Sequence, residues 1–307
     1  MPKIEYVPKN FRPESLQLIE KINTVIADYA RQGFGLTLRQ VYYQMVARNI
    51  IPNNERSYKN LGNLISDARL AGLIDWQAIE DRTRNLRGNS HWSDPGSVID
   101  SAAYSYHLDH WAGQRNYVEV WVEKDALIGI VGQICQRLDV NHFSCRGYVS
   151  QSEMWEAARR LKRRSDQGQH IVLLHLGDHD PSGKDMSRDI SDRLVTFETY
   201  GVEFHRLALN MDQVDAYNPP PNPTKLTDSR ASGYIAEYGH ECWELDALEP
   251  MVISNLIRDH VTKYRDEKVY NEILRREKHG KDLLTDVAEL WDDVIESHWD
   301  EIKADYR

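Results

Sequence analysis

The sequence has few cysteines, no long apolar run and no excess of positive charge. Cys135, Cys145 and Cys242 are odd in number and widely spaced, so they write neither a disulfide framework nor a CxxC zinc site, and a reducing cytoplasm is the expected setting. Uncharged apolar stretches such as Ile171 to Leu176 fall far short of the ~20 residues that cross a bilayer, so no membrane partner is expected. The opening MPKIEYVPKNFRPES has no apolar h-region, which argues against a secretory signal. With 41% hydrophobic and 28% charged residues over 307 positions, the chain is neither disordered nor collagen-like and is long enough for two ordinary domains.

The net charge of −10 speaks at first against a nucleic-acid partner, but it is unevenly spread. Residues 1–95 carry 13 Lys and Arg against 10 Asp and Glu, whereas the rest carries 25 against 38. That split suits a DNA-facing front, with Arg48, Lys59 and Arg69 as candidate phosphate contacts, and an acidic rear able to hold divalent cations. It equally suits two solvated surfaces.

Pro13 and the spacing of Leu18, Ile22, Val25 and Tyr29 predict a first helix. Thr37 can cap a second, Leu38 to about Arg48, and Ser57 a third. LIDWQAIEDRTR alternates as a β-wing would, which together gives the plan of a winged helix-turn-helix. Asp94 and Pro95 then look like the cap and first residue of a connecting helix to about Trp111. From Tyr117 strands and helices alternate: strands at 117–122, 140–145, 171–176 and 202–209, helices at 125–138, 152–164 and 182–199. NPPPNPTKLTDSR reads as an irregular loop and helices close the chain from Glu249. The expected fold is α/β, with domains at 1–93 and 94–307, the second a mostly parallel sheet whose active groups lie beyond the strands' carboxyl ends.

Two such ends are acidic. Glu123 follows VEVWV, and Asp178 and Asp180 follow IVLLHLG in a loop that Pro181 and Gly183 force to turn. Three carboxylates from neighbouring strand ends can converge on a hard cation, and Mg²⁺ suits such a set. The alternative has Asp180 capping the next helix and Asp178 solvated. GDHDPSGK is not a Walker loop, because five residues separate its glycines and Asp185 follows Lys184. His175 reads as a buried strand histidine and His179 as an exposed loop histidine.

In TLRQVYYQMVARN, a turn of about 100° per residue gathers Leu38, Val41, Tyr42 and Met45 on the core side and points Tyr43 away, with Arg39 one turn before it. An exposed phenol beside a guanidinium suits nucleophilic attack on phosphorus, the Arg binding phosphate and favouring the phenolate. An exposed surface tyrosine is the plainer reading of this stretch alone.

Together RQVYY, VEK (Val122 to Lys124), DHDPSG and WELDAL (Trp243 to Leu248) resemble, in order and spacing, the topoisomerase VI A subunit and the related meiotic double-strand-break transesterase. The resemblance implies a winged helix carrying a nucleophilic tyrosine joined to a Toprim domain carrying Mg²⁺. On that pattern Tyr43 would join to the 5′ phosphate of double-stranded DNA, Arg39 would hold the phosphate, and Glu123, Asp178 and Asp180 would place the metal. Lys124 would add a phosphate contact, with a solvated lysine as the equal alternative, and Glu244 and Asp246 would support the metal, with carboxylates at a helix N-terminus as the plainer reading. It further implies a homodimer, in which one protomer's tyrosine works with the other's metal, and a separate ATPase subunit as a possible partner. The chain is shorter than the usual A subunit and contains no ATPase module. A Toprim hydrolase and a non-catalytic DNA-binding protein are the competing readings.

Overall fold

The computed structural model describes residues 3–79, 89–291 and 293. The fold is mixed α/β, with eleven α-helices and a four-stranded parallel sheet among the described residues. Contacts gather residues 3–79 with Asn116–Tyr264 into one compact unit, and residues 89–115 with 265–291 into another. The division is therefore not the sequential one expected at residues 93 and 94.

The first unit opens with three helices, α1 (Pro13–Ala30), α2 (Leu38–Ala47) and α3 (Glu55–Leu70). Thr37 starts α2 through a reciprocal cap, its hydroxyl accepting from Gln40 N–H while Gln40 Oε1 accepts from Thr37 N–H at 2.8 Å. Asn54, not Ser57, caps α3: Asn54 Oδ1 accepts from the Ser57 N–H at 2.8 Å. Leu73 to Ile79, where the wing was expected to begin, contains no strand, only an isolated parallel bridge between Leu36 and Ile79. The rest of that expected wing lies outside the described residues.

The sheet is built from β1 (Asn116–Val122), β2 (Asn141–Ser144), β3 (His170–Leu176) and β4 (Glu203–Ala208), in the order β2-β1-β3-β4. α5 (Ile128–Leu138), α6 (Gln151–Asp166) and α7 (Pro181–Thr196) make the crossovers that parallel pairing demands. Every residue of β3 from Ile171 to Leu176 is buried, and each large aliphatic there contributes about 1.5–3 kcal/mol on leaving water. A central strand covered on both faces leaves its ends as the places where polar chemistry can open to solvent. Glu119 of β1 is an acid buried inside the sheet, and it is fully partnered by Arg160, the Tyr117 hydroxyl and the Trp121 indole.

The region expected to be an irregular loop contains ordered pieces. α8 (Met211–Tyr217) precedes it, β5 (Asn222–Pro223) pairs antiparallel with β6 (Glu241–Cys242), and α9 (Ala231–Tyr238) lies between those two short strands. A 3-10 turn, Leu245–Ala247, and α10 (Pro250–Lys263), which packs on α5, complete this unit.

In the second unit, α4 (Pro95–Ser105) packs along α11 (Glu267–Glu289). α4 ends at Ser105 rather than near Trp111; Asp94 caps it, accepting from Ser97 N–H at 2.8 Å. Gly280 lets the Tyr106 ring lie against α11, since a Cβ there would stand 2.4 Å from the ring. Glu277 ties the unit together, taking His110 at 2.7 Å, His107 at 2.9 Å and Leu108 N–H at 2.9 Å on one oxygen and Lys281 at 2.7 Å on the other. Burial pushes its carboxyl up, but those hydrogen bonds and the nearby His107 charge outweigh it and hold it at about 2, below the ordinary 4.5. A folded value below the unfolded one means the stabilisation is complete above pH 4.5 and is lost as pH falls towards about 2. Thermal melts across that window should fall steeply for the native chain and more gently for Glu277→Gln. No helix among the described residues is long and apolar enough to cross a membrane.

Candidate active site

β1 and β3 are central neighbours in register, Val122 opposite Leu176, so the residues that follow them emerge side by side. Glu123 N–H donates to Leu176 O at 2.8 Å, and Glu123 Oε2 accepts from the Asp178 N–H at 2.9 Å. Asp180 caps α7, its Oδ1 accepting from Gly183 N–H at 2.6 Å, with Pro181 as the first helical residue. The capping alternative thus holds for Asp180. Asp178 is not solvated: it is 5% exposed, its Oδ1 accepts from Leu245 N–H at 2.7 Å, and its Oδ2 lies 2.9 Å from Lys124 Nζ.

Gly183 is what permits this turn. A Cβ there would stand 2.3 Å from Asp178 O and 2.9 Å from Glu123 Oε2. The carbonyls of the loop converge on Arg206 of β4, whose guanidinium donates to Gly177 O at 3.1 Å, Gly183 O at 2.8 Å and the Ser187 hydroxyl at 2.7 Å. Gly183→Ala should therefore cost about 1–3 kcal/mol through a displaced loop. Gly233, with nothing within 4 Å of its Cβ position, is the neutral control. Urea melts of the two variants check the difference.

Trp243 to Leu248 forms the opposite wall. His179 and Trp243 exchange both backbone hydrogen bonds, at 2.8 and 2.9 Å, which lays this segment against the Asp178–Asp180 loop. The sequence reading of His179 as exposed is corrected: the ring is fully buried, its Nδ1 2.7 Å from the Tyr234 hydroxyl, and burial pulls its pKa down to about 4. His175 is buried as expected, with Ser187 Oγ 2.9 Å from its Nδ1.

Docking this segment brings Glu244 and Asp246 to the two cations of the motifs. Lys124 Nζ lies 2.9 Å from Asp178, 3.3 Å from Asp246 and also on Glu244. Arg39 reaches the same pair from α2, Nη2 2.8 Å from Glu244 Oε2 and Nε 2.7 Å from Asp246 Oδ2. Burial by itself would lower the pKa of Lys124, but Asp178, Asp246 and Glu244 carry it well above its ordinary value. Burial raises Asp178 well above the carboxylate range despite Lys124, and burial also raises Glu123, with Asp180 adding to it. The solvated reading of Lys124 is corrected, since its side chain is 14% exposed.

Tyr43 is not on an exposed helix face as the helical wheel suggested. It is 6% exposed, on a helix that packs against α1, α3 and the 3-10 turn at 245–247. The Arg39 guanidinium sits 5.6 Å from its ring centre. Burial first, then Glu244 and Asp246, push the phenol up to about 12, against the smaller opposing pull of Arg39 and Lys124. Arg39 thus pulls toward the phenolate as expected, but burial and the two acids outweigh it. Tyr43 is not sealed in, however. Together with Arg39, Asp180 and Glu244 it lines a cavity of about 780 Å³.

Carboxylates are the donors a hard cation takes, but around Gly183 only Glu123 Oε2 is a carboxylate oxygen, the other near atoms being the backbone N and O of Asp178. Among the described residues, Glu123, Asp178 and Asp180 do not bring one oxygen each within 4.8 Å of one another. An ammonium and a guanidinium already neutralise the acids around them. Glu123, Asp178 and Lys124 are not among the residues that line the cavity, and neither are the remaining candidates. Arg48 pairs with Asp28 at 2.8 Å, Lys59 with Glu55 at 2.7 Å, and the Arg69 guanidinium is engaged by the carbonyl of Trp76 at 2.9 Å and by that of Ile79. Arg206, Glu244 and Asp246 are the members that sequence reasoning missed or underweighted. WELDAL was the only signal for the last two, and Arg206 had none. Compared with family models, curated proteins and solved structures, the chain matches none.

Proposed function

We propose that the chain is a Mg²⁺-dependent DNA-cleaving transesterase of the topoisomerase VI A type, a winged-helix module and a Toprim module that share one cleavage site. The observation that carries the reading is that a phenol and a guanidinium from α2 line the same cavity as Asp180 and Glu244, although about 200 residues of sequence separate Arg39 from Glu244. In this reading Glu123, Asp178 and Asp180 would hold the metal, which would supply Lewis-acid charge to the phosphate. Arg39 releases Glu244 and Asp246 and turns its fork to the phosphate. Tyr43 gives up its proton to bulk water, its Oη forms a bond to phosphorus, and the P–O3′ bond breaks. The departing O3′ takes up a proton, leaving a 5′-phosphotyrosyl link and a free 3′ hydroxyl. Lys124 offers a second cation to the phosphate. Cutting both strands requires a second copy of the chain, and strand passage would require an ATPase subunit supplied separately.

Arg39 pairs with Glu244 and Asp246 of its own chain, and Tyr43 lines the same cavity as Asp180 and Glu244. Burial of Tyr43 and its raised pKa favour one competing reading, metal-dependent hydrolysis with water as nucleophile. Incubation with end-labelled duplex and Mg²⁺, stopped with SDS, separates the two. Transesterification leaves the fragment on the 3′ side of the break, which carries a 3′-end label, bound to protein through its 5′ phosphate; hydrolysis cuts without attachment.

A further inference from the structure

A phosphodiester on the outside of a duplex needs a cation and a nucleophile, not a deep recess. Yet the cavity that Arg39 and Tyr43 line is also lined by Tyr42, Tyr58, Asn53 and Asn222, with Glu55, Lys225 and Asp228 as its further charged residues. The rings of Tyr42 and Tyr58 meet at 85°, their centres 5.2 Å apart, and form a corner of two aromatic planes. Asn53 is held at both ends: its Oδ1 accepts from the Tyr42 hydroxyl at 2.9 Å, and its Nδ2 donates to Asn222 Oδ1 at 2.7 Å and Pro221 O at 3.2 Å. That fixes the Asn222 carboxamide by its oxygen, while backbone pairing of Asn222 with Cys242 fixes its base. The Asn222 amino group makes no hydrogen bond among the described residues.

Flat rings beside a pre-oriented amide donor match the two ways a protein grips a nucleobase, stacking on its face and hydrogen bonding to its edge. A paired base inside a duplex presents neither its face nor its full edge to a concave site, so only an unpaired or extruded one can enter. We propose that this part of the cavity is a subsite for one unpaired nucleobase adjoining the attacked phosphate, so that duplex with a bulged or unpaired nucleotide is the preferred substrate. The inference rests on the DNA-cleavage reading and names the form of DNA that the same cavity takes.

Fluorescence anisotropy with the Tyr43→Phe chain tests it, comparing a fully paired duplex with the same duplex carrying one bulged 2-aminopurine nucleotide. Binding of the bulged form should be tighter by roughly tenfold, the scale that one stacked base supplies. The 2-aminopurine fluorescence should fall on binding, as stacking on tyrosine requires. Tyr58→Ala should erase the preference and the quenching without changing affinity for paired duplex, and Tyr58→Phe should keep both. Equal affinity for the two duplexes, with fluorescence unchanged, overturns the subsite and leaves the cleavage reading standing. Failure to bind either duplex overturns both.

Discussion

Replacing Tyr43 by Phe should abolish the covalent protein–DNA link and lower Mg²⁺-dependent cleavage by about a thousandfold or more, while DNA affinity stays within a few-fold of the native chain. The substitution removes one oxygen and keeps the ring, so the packing against Tyr42, 5.2 Å away centre to centre, and under the Arg39 guanidinium is retained. A folding defect is therefore not a competing explanation of lost activity, and a thermal melt of the variant verifies this. Cleavage that survives the substitution would point to water as nucleophile. Gel quantification of cut and protein-linked oligonucleotide in parallel reads both quantities.

Lys124→Met should lower stability by about 3–5 kcal/mol, the usual consequence of removing one partner from a buried charge cluster. Asp178 and the side chain of Asp246 are almost wholly removed from water, and Lys124 contacts both. Without the ammonium their carboxylates face one another and Glu244 with only Arg39 in between. Added Mg²⁺ should raise the melting temperature of this variant by more than it raises that of the native chain, because a cation binding the folded form stabilises it by mass action. A melting temperature that Mg²⁺ leaves unmoved in both proteins would speak against a cation site among these acids.

Much of the scaffold was legible because its signals are local. Apolar runs such as Ile171–Leu176 and the alternation of strand and helix gave the parallel sheet, and with it the placing of Glu123 beside Asp178 at adjacent strand ends. Thr37, read as a cap, gave the start of α2. What failed depended on contacts distant in sequence. The helical wheel treats α2 as packed on one side, so it could not anticipate that residues 245–247 would also pack on that helix and that Tyr43 would be buried. His179 was misjudged for the same reason, since Trp243 and Tyr234 come to it from over 50 residues away. Arg206 belongs to no motif; its role comes from where β4 ends, beside the loop whose carbonyls it gathers. α8 and α9 are short and flank a proline-rich stretch, which hid them.

The electrostatic state of the cavity follows from those long-range contacts. Arg39 and Lys124, the two cations suited to a phosphate, are both engaged by Glu244 and Asp246. Burial and these same acids hold the phenol near 12. The cavity is therefore poised so that whatever neutralises the acids also frees the cations and eases ionisation of Tyr43.

Mass spectrometry of the adduct left after Mg²⁺ incubation, SDS arrest and exhaustive nuclease digestion tests the central claim most directly. The account predicts a nucleotide attached through its 5′ phosphate to the peptide that contains Tyr43. Attachment at another residue, or full cleavage with every Tyr43 peptide unmodified, would contradict it.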